Sequence, residues 1–152
     1  MTGEMLLSEA QVAMDELLLA CNHAVGRCAE CADLPQEEAG GLAALLRRAA
    51  AEQGEIAATL RETIRRSDHV PKEEEGEREL LASLGVQVRA IVSAEREAWV
   101  IDACLKSETD LLENVRILSA FDLDAGLESR LEELRESVRR TVEELQDMRL
   151  RM

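Results

Sequence analysis

Tyrosine does not occur in this chain, and Trp99 and Phe121 are its only aromatic residues. An interior without rings has to be filled by Leu, Ile, Val and Ala, which favours close packing of helix on helix. There are only two prolines, so little interrupts long helices. Apolar runs are short: none approaches the roughly 18 residues of a membrane span. Positive charge is scarce as well, with 18 basic residues against 32 acidic ones and a formal net charge of -14. Such a field repels a phosphate backbone, which argues against nucleic acid as a partner. The opening stretch MTGEMLLSEAQ is acidic where a signal peptide would be basic, so a soluble, cytoplasmic protein is expected, with no membrane partner. There is no GxGxxG, no Walker loop and no serine set beside one of the two histidines.

What remains is rich in helix formers. The 152 residues suffice for one domain, 1–152, with a real core and no need of disulfide or metal staples. A first helix is expected from Ser8, where Ser8 and Gln11 have capping-box spacing, to about Ala32. Its seam is Met14, Leu17, Cys21, Ala24, Cys28 and Cys31, spaced by threes and fours. Asp33-Leu34-Pro35 ends it. A second helix runs to about Arg66 with Leu42, Leu45, Leu46, Ala49, Ile56, Leu60 and Ile64 on one side. The polar segment SDHVPKEEEG, from Ser67 to Gly76, follows. A third helical region opens near Glu77, carries Leu80, Leu84 and Val88, pauses at Ser93, and continues through Trp99, Ile101, Cys104, Leu105, Leu112, Val115 and Leu118. After a turn from Phe121 to Asp124, capped by Asp122 or Asp124, the last helix repeats Leu127, Leu131, Leu134, Val138, Thr141, Leu145 and Met148 as a heptad seam. Together these segments predict an all-α fold, an antiparallel four-helix bundle.

The stretch CNHAVGRCAECAD, Cys21 to Asp33, concentrates the chemistry. A cytoplasmic chain keeps its thiols reduced, so four cysteines need not make two disulfides. On a helix seam, cysteine acts first as a small buried hydrophobe. Cys21 and Cys31 lie about 15 Å apart along a helix and cannot share an ion, whereas Cys28 and Cys31 with Cys104 could supply part of a thiol-ligated metal site. Reactive CxxC pairs usually sit at a helix N-terminus, and Cys28 and Cys31 fall at the other end, where the dipole disfavours a thiolate.

With LLLACNHAVGRCAECA, LRETIRRSDHVP and IDACLKSETDLL in this order, the chain resembles a family of small uncharacterised bacterial proteins with a ferritin-like four-helix fold, known as a domain of unknown function. The likeness extends from about Leu17 to Arg149. Ferritin-like di-iron bundles use a Glu from each of two helices and a Glu-x-x-His pair from each of the other two. By the resemblance, the corresponding positions here are Asn22, Glu52, Glu108 and Val142, so two ligands are missing. Ala20 precedes His23 by three and Arg66 precedes His69 by three, so the Glu-x-x-His pair is missing too. The resemblance therefore implies a non-catalytic ferritin-like bundle without its di-iron centre and without a cofactor, a structural or interaction protein in stress or envelope physiology. Homodimerisation is the expected association, with Trp99 beside Val100 and Ile101 as a contact residue. An alternative remains: Glu52, Glu55 and Glu108, supported by Asn22 or His23, form a carboxylate site for iron, manganese, zinc or another divalent metal, with an oxidase or storage role. On an acidic protein those glutamates are otherwise ordinary solvated charges.

Overall fold

The structure, a computed structural model, describes residues 2–33, 41–66 and 93–152. They form four α-helices and, among the described residues, no strand: α1 (Thr2–Ala32), α2 (Leu42–Arg65), α3 (Ser93–Ser119) and α4 (Ala125–Leu150). The all-α class expected from the composition is what the described residues adopt. The polar segment Ser67 to Gly76 and the helical region expected from Glu77 lie outside the described residues, and the expected pause at Ser93 falls at their edge.

Helix boundaries follow local chemistry. Asp124 caps α4, its extended backbone leading in and its carboxylate accepting the Leu127 amide at 2.8 Å. Of the two aspartates expected as caps, it is Asp124 that does so. Gly41 opens α2 at φ 85°, a left-handed turn that a residue with a Cβ adopts only under strain. The first helix departs from expectation: it already runs from Thr2, six residues before Ser8. Ser8 therefore lies within the helix, because Glu4, Met5, Leu6 and Leu7 are good helix formers and nothing ahead of Ser8 breaks the turn.

Each helix packs on two others: α1 on α2 and α3, and α4 on the same two. Ion pairs and hydrogen bonds set the register. Between α2 and α4, Arg48 meets Glu144 at 2.7 Å and Glu52 meets Arg140 at 3.3 Å, so the partner number falls as the α2 number rises. Between α3 and α4, Asp102 meets Arg149 at 3.0 Å. Arg27 of α1 donates through Nη1 to the Ala103 carbonyl of α3 at 3.2 Å.

The expected seams are buried. On α4, Leu127, Leu131, Leu134, Val138, Thr141 and Leu145 are inside and Met148 is half-buried at the end. The aliphatic interior divides into two clusters. One joins Leu17, Leu18, Cys21, Leu60, Ile64, Leu111, Val115, Leu118, Leu131 and Leu134. The other joins Cys28, Cys31, Leu42, Leu45, Leu46, Val100, Ile101, Cys104 and Leu145. Among the described residues no helix is long and apolar enough to cross a membrane.

These contacts predict a graded response to mutation. Leu134→Ala empties a fully buried site and is expected to cost about 2–5 kcal/mol, while Asp124→Ala loses one cap and costs about 1 kcal/mol. Urea unfolding followed by circular dichroism measures both; equal losses would contradict this account of the core.

Candidate functional site

Between the two apolar clusters lies a polar layer. Gln53 of α2, Ser107 and Glu108 of α3, and Ser137 and Thr141 of α4 are all buried. Gln53 Nε2 donates a hydrogen bond to Glu108 Oε1, which joins α2 to α3 through the middle of the molecule. Thr141 satisfies its hydroxyl locally by donating to the Ser137 carbonyl at 2.9 Å. Ser107 accepts from Arg27 Nη1 at 2.7 Å and donates to the Ala103 carbonyl at 3.3 Å. Three buried oxygens in this layer have no hydrogen-bond partner: Gln53 Oε1, Glu108 Oε2 and Ser137 Oγ.

Glu108 is the titratable centre of the layer. Burial raises its pKa from 4.5 to about 7, and the hydrogen bond from Gln53 recovers only part of that penalty. Near neutrality the carboxyl is therefore divided between its charged and neutral forms. The neutral form sheds the buried charge and acts as donor as well as acceptor. Cys21, in the adjoining cluster, is pushed up to about 12 by burial and by the neighbouring Glu108, so it stays a thiol.

The other residues singled out in the sequence are elsewhere. Glu52, one position from Gln53, turns outward to Arg140, and Glu55 is exposed. The structure does not bring these two carboxylates to Glu108. Asn22 is half-buried and accepts from Arg61 Nη2 at 3.4 Å. His23 is half-buried, its Nε2 3.4 Å from Arg27 Nη2; burial first, and then the Arg27 charge, hold its pKa below the usual value. Val142 packs against the first apolar cluster. At the level of Glu108 the interior, among the described residues, offers one carboxylate, one amide and three hydroxyls. That donor set does not fit a di-iron centre, which needs several converging carboxylates and imidazoles. Among the described residues, no group of three or more His, Cys, Asp or Glu is arranged to hold a metal ion.

None of the four cysteines is in a disulfide, and all are buried. Cys28, Cys31 and Cys104 do come together in the second cluster, and hydrogen bonding with Cys28 and Cys31 pushes the Cys104 thiol well above its usual range. The position of Cys31 at the end of its helix predicts a raised pKa, but its thiol is held below the usual value, chiefly by the hydrogen bond from Cys104. That hydrogen bond outweighs burial, which pushes the thiol the other way.

On the acidic surface, arginines of α3 and α4 are drawn into ion pairs. A groove of about 390 Å³ between α3 and α4 is edged by Arg116, Arg135 and Arg139, and each pairs with a glutamate on its own helix: Glu113, Glu132 and Glu136. Arg66 likewise pairs with Glu62 at 3.9 Å. Arg66, Arg139 and Arg140 are thus each held in an ion pair.

Gln53 is the residue that sequence reasoning passed over. The stripe on α2 was read from Ala49 to Ile56, a step of seven, and Gln53 stands in that gap with helical spacing to both sides. A polar residue on an apolar stripe is the signal that marks it. Compared with known protein families, curated proteins and solved structures, the chain matches none.

The buried carboxyl makes stability depend on pH. Its pKa is higher folded than unfolded, so its contribution is fully present below about 4.5 and is lost as pH rises through about 7. Glu108→Gln removes this titration. The stability of the variant relative to wild type should therefore grow between pH 5 and 8, by about 3 kcal/mol at most. Parallel urea titrations across that range test this, and a constant difference would show that Glu108 is not strained.

Proposed function

We propose that this chain is a non-catalytic, ferritin-like bundle with antiparallel neighbours, acting as a structural or interaction protein and lacking the di-iron centre of the family it resembles. The observation that carries the reading is the fate of the second-helix carboxylate: Glu52 pairs with Arg140 outside the core, and Gln53 occupies the inward position. An amide in that place bonds to Glu108 as a neutral partner and supplies no anionic ligand. The falling partner numbers along α2 and α4 support antiparallel neighbours. The placement of α1 and α4 each beside both α2 and α3 supports a ferritin-like order, in which the second and third helices face each other across the bundle.

Homodimerisation and a cytoplasmic location belong to the same proposal. Four reduced thiols suit a reducing compartment. Trp99 packs only partly into the second cluster and keeps part of its ring available for contact. One observation favours the second reading, a divalent-metal carboxylate bundle: Glu108 Oε2 is buried without a partner, as a carboxylate awaiting a cation would be.

Elemental analysis of protein purified without chelators decides between the two. The scaffold reading expects less than about a tenth of an equivalent of iron, manganese or zinc; one equivalent per chain, lost in Glu108→Gln, would replace it with the metal reading. Light scattering at micromolar concentration should return twice the mass of 16.8 kDa, and Trp99→Ala should weaken that association. A wild-type monomer throughout would remove the dimer.

A further inference from the structure

The three thiols of the second cluster are placed for more than packing. Cys28 and Cys31 lie one turn apart on α1, and Cys104 faces both from α3. All three are buried in one cluster where α1 and α3 pack on each other. Arg27 holds that contact by donating to the Ala103 carbonyl and to the Ser107 hydroxyl, on either side of Cys104. A disulfide requires Cα atoms about 4.4–6.8 Å apart and sulfurs about 2.05 Å apart. Thiols that share one buried cluster at the α1–α3 contact are placed to approach that distance.

We propose that Cys31 and Cys104 are an oxidation site at which a small peroxide forms a disulfide that staples α1 to α3, with Cys28 as exchange partner. The Cys31 thiolate attacks one oxygen of hydrogen peroxide and the O–O bond breaks. This leaves a sulfenic acid on Cys31 and a hydroxide that recovers the proton as water. Cys104 sulfur then attacks the Cys31 sulfur; the S–O bond breaks, and the departing hydroxide takes the Cys104 proton as a second water. Two thiols and one peroxide thus become one disulfide and two waters. Cys28 can attack the Cys104 sulfur in turn, which moves the bond by one helical turn and releases Cys31.

Cys31 is suited to the first step for two reasons. The Cys104 hydrogen bond favours its ionised form, and it stands in the last turn of α1, which ends at Ala32. Helix ends open locally at little cost, which admits an oxidant about the size of a few waters. Cys21 lies in the other cluster, well inside its helix, and its raised pKa keeps it reduced, so it serves as an internal control. This chemistry needs no metal and stands whether or not the scaffold reading survives.

The test treats the reduced full chain with hydrogen peroxide and then alkylates remaining thiols in denaturant. Digestion that cleaves after Glu30 separates Cys28 from Cys31 for mass spectrometry. Two of the four thiols should disappear, a Cys31–Cys104 link should be recovered, and Cys21 should remain alkylated. The melting midpoint should rise by about 5–10 °C and return on treatment with dithiothreitol. Cys104→Ser should abolish both link and rise. Should that variant not fold, Cys31→Ala provides the same test: oxidation slows roughly tenfold and the link forms from Cys28. Four alkylatable thiols after peroxide, a link between Cys28 and Cys31, or a link between two chains would each overturn the proposal.

Discussion

A carboxyl group taken into the middle of four helices has to lose its charge or find a partner, and Glu108 does some of each through Gln53. Their hydrogen bond crosses the molecule from α2 to α3, two helices whose backbones do not pack directly on each other. A slip of one turn in either helix would set the carboxyl against aliphatic side chains. The apolar clusters above and below are tolerant of such slips, since one leucine replaces another at similar cost. The polar layer is not, and it supplies the discrimination that an interior of Leu, Val and Ala lacks.

Around this layer the charged residues are arranged with little waste. Arg48 with Glu144, Glu52 with Arg140 and Asp102 with Arg149 tie helix to helix at the rim, where each exposed pair is worth only a few tenths to about 1 kcal/mol. Their effect is on register more than on stability. The thiol group of α1 and α3 occupies a different place, inside the second cluster and against the Arg27 clamp. The packing of α1 on α3 gathers three sulfurs into one buried cluster.

Much of the architecture was legible in the chain itself. The seams of α1, α2 and α4 were read by spacing, and their buried faces agree closely with it: Leu17, Cys21 and Cys28; Leu42, Leu46 and Leu60; Leu127 to Leu145. Asp124 was legible as a cap because a short acceptor before a helix has few other uses. On α3 the stripe was right at Ile101, Cys104, Val115 and Leu118, but it passed over Val100 and Leu111, which are buried, and kept Leu112, which is only half-buried. Neighbouring leucines cannot be told apart by period alone. The start of α1 was misplaced because Ser8 offers a cap that an ongoing helix does not use.

By itself, then, the amino-acid order determined that the chain is helical, where most turns fall and which side of each helix avoids water, because those properties arise from neighbours three and four residues apart. Tertiary structure alone decided which inward groups meet. Glu52 and Gln53 are adjacent in the chain, yet one faces Arg140 at the rim and the other Glu108 in the core. Cys104 lies more than seventy residues from Cys28 and Cys31 and bonds to both. Such meetings depend on how far each helix is rotated and slid against the next, and that is settled by packing between segments, of which no local spacing carries a record.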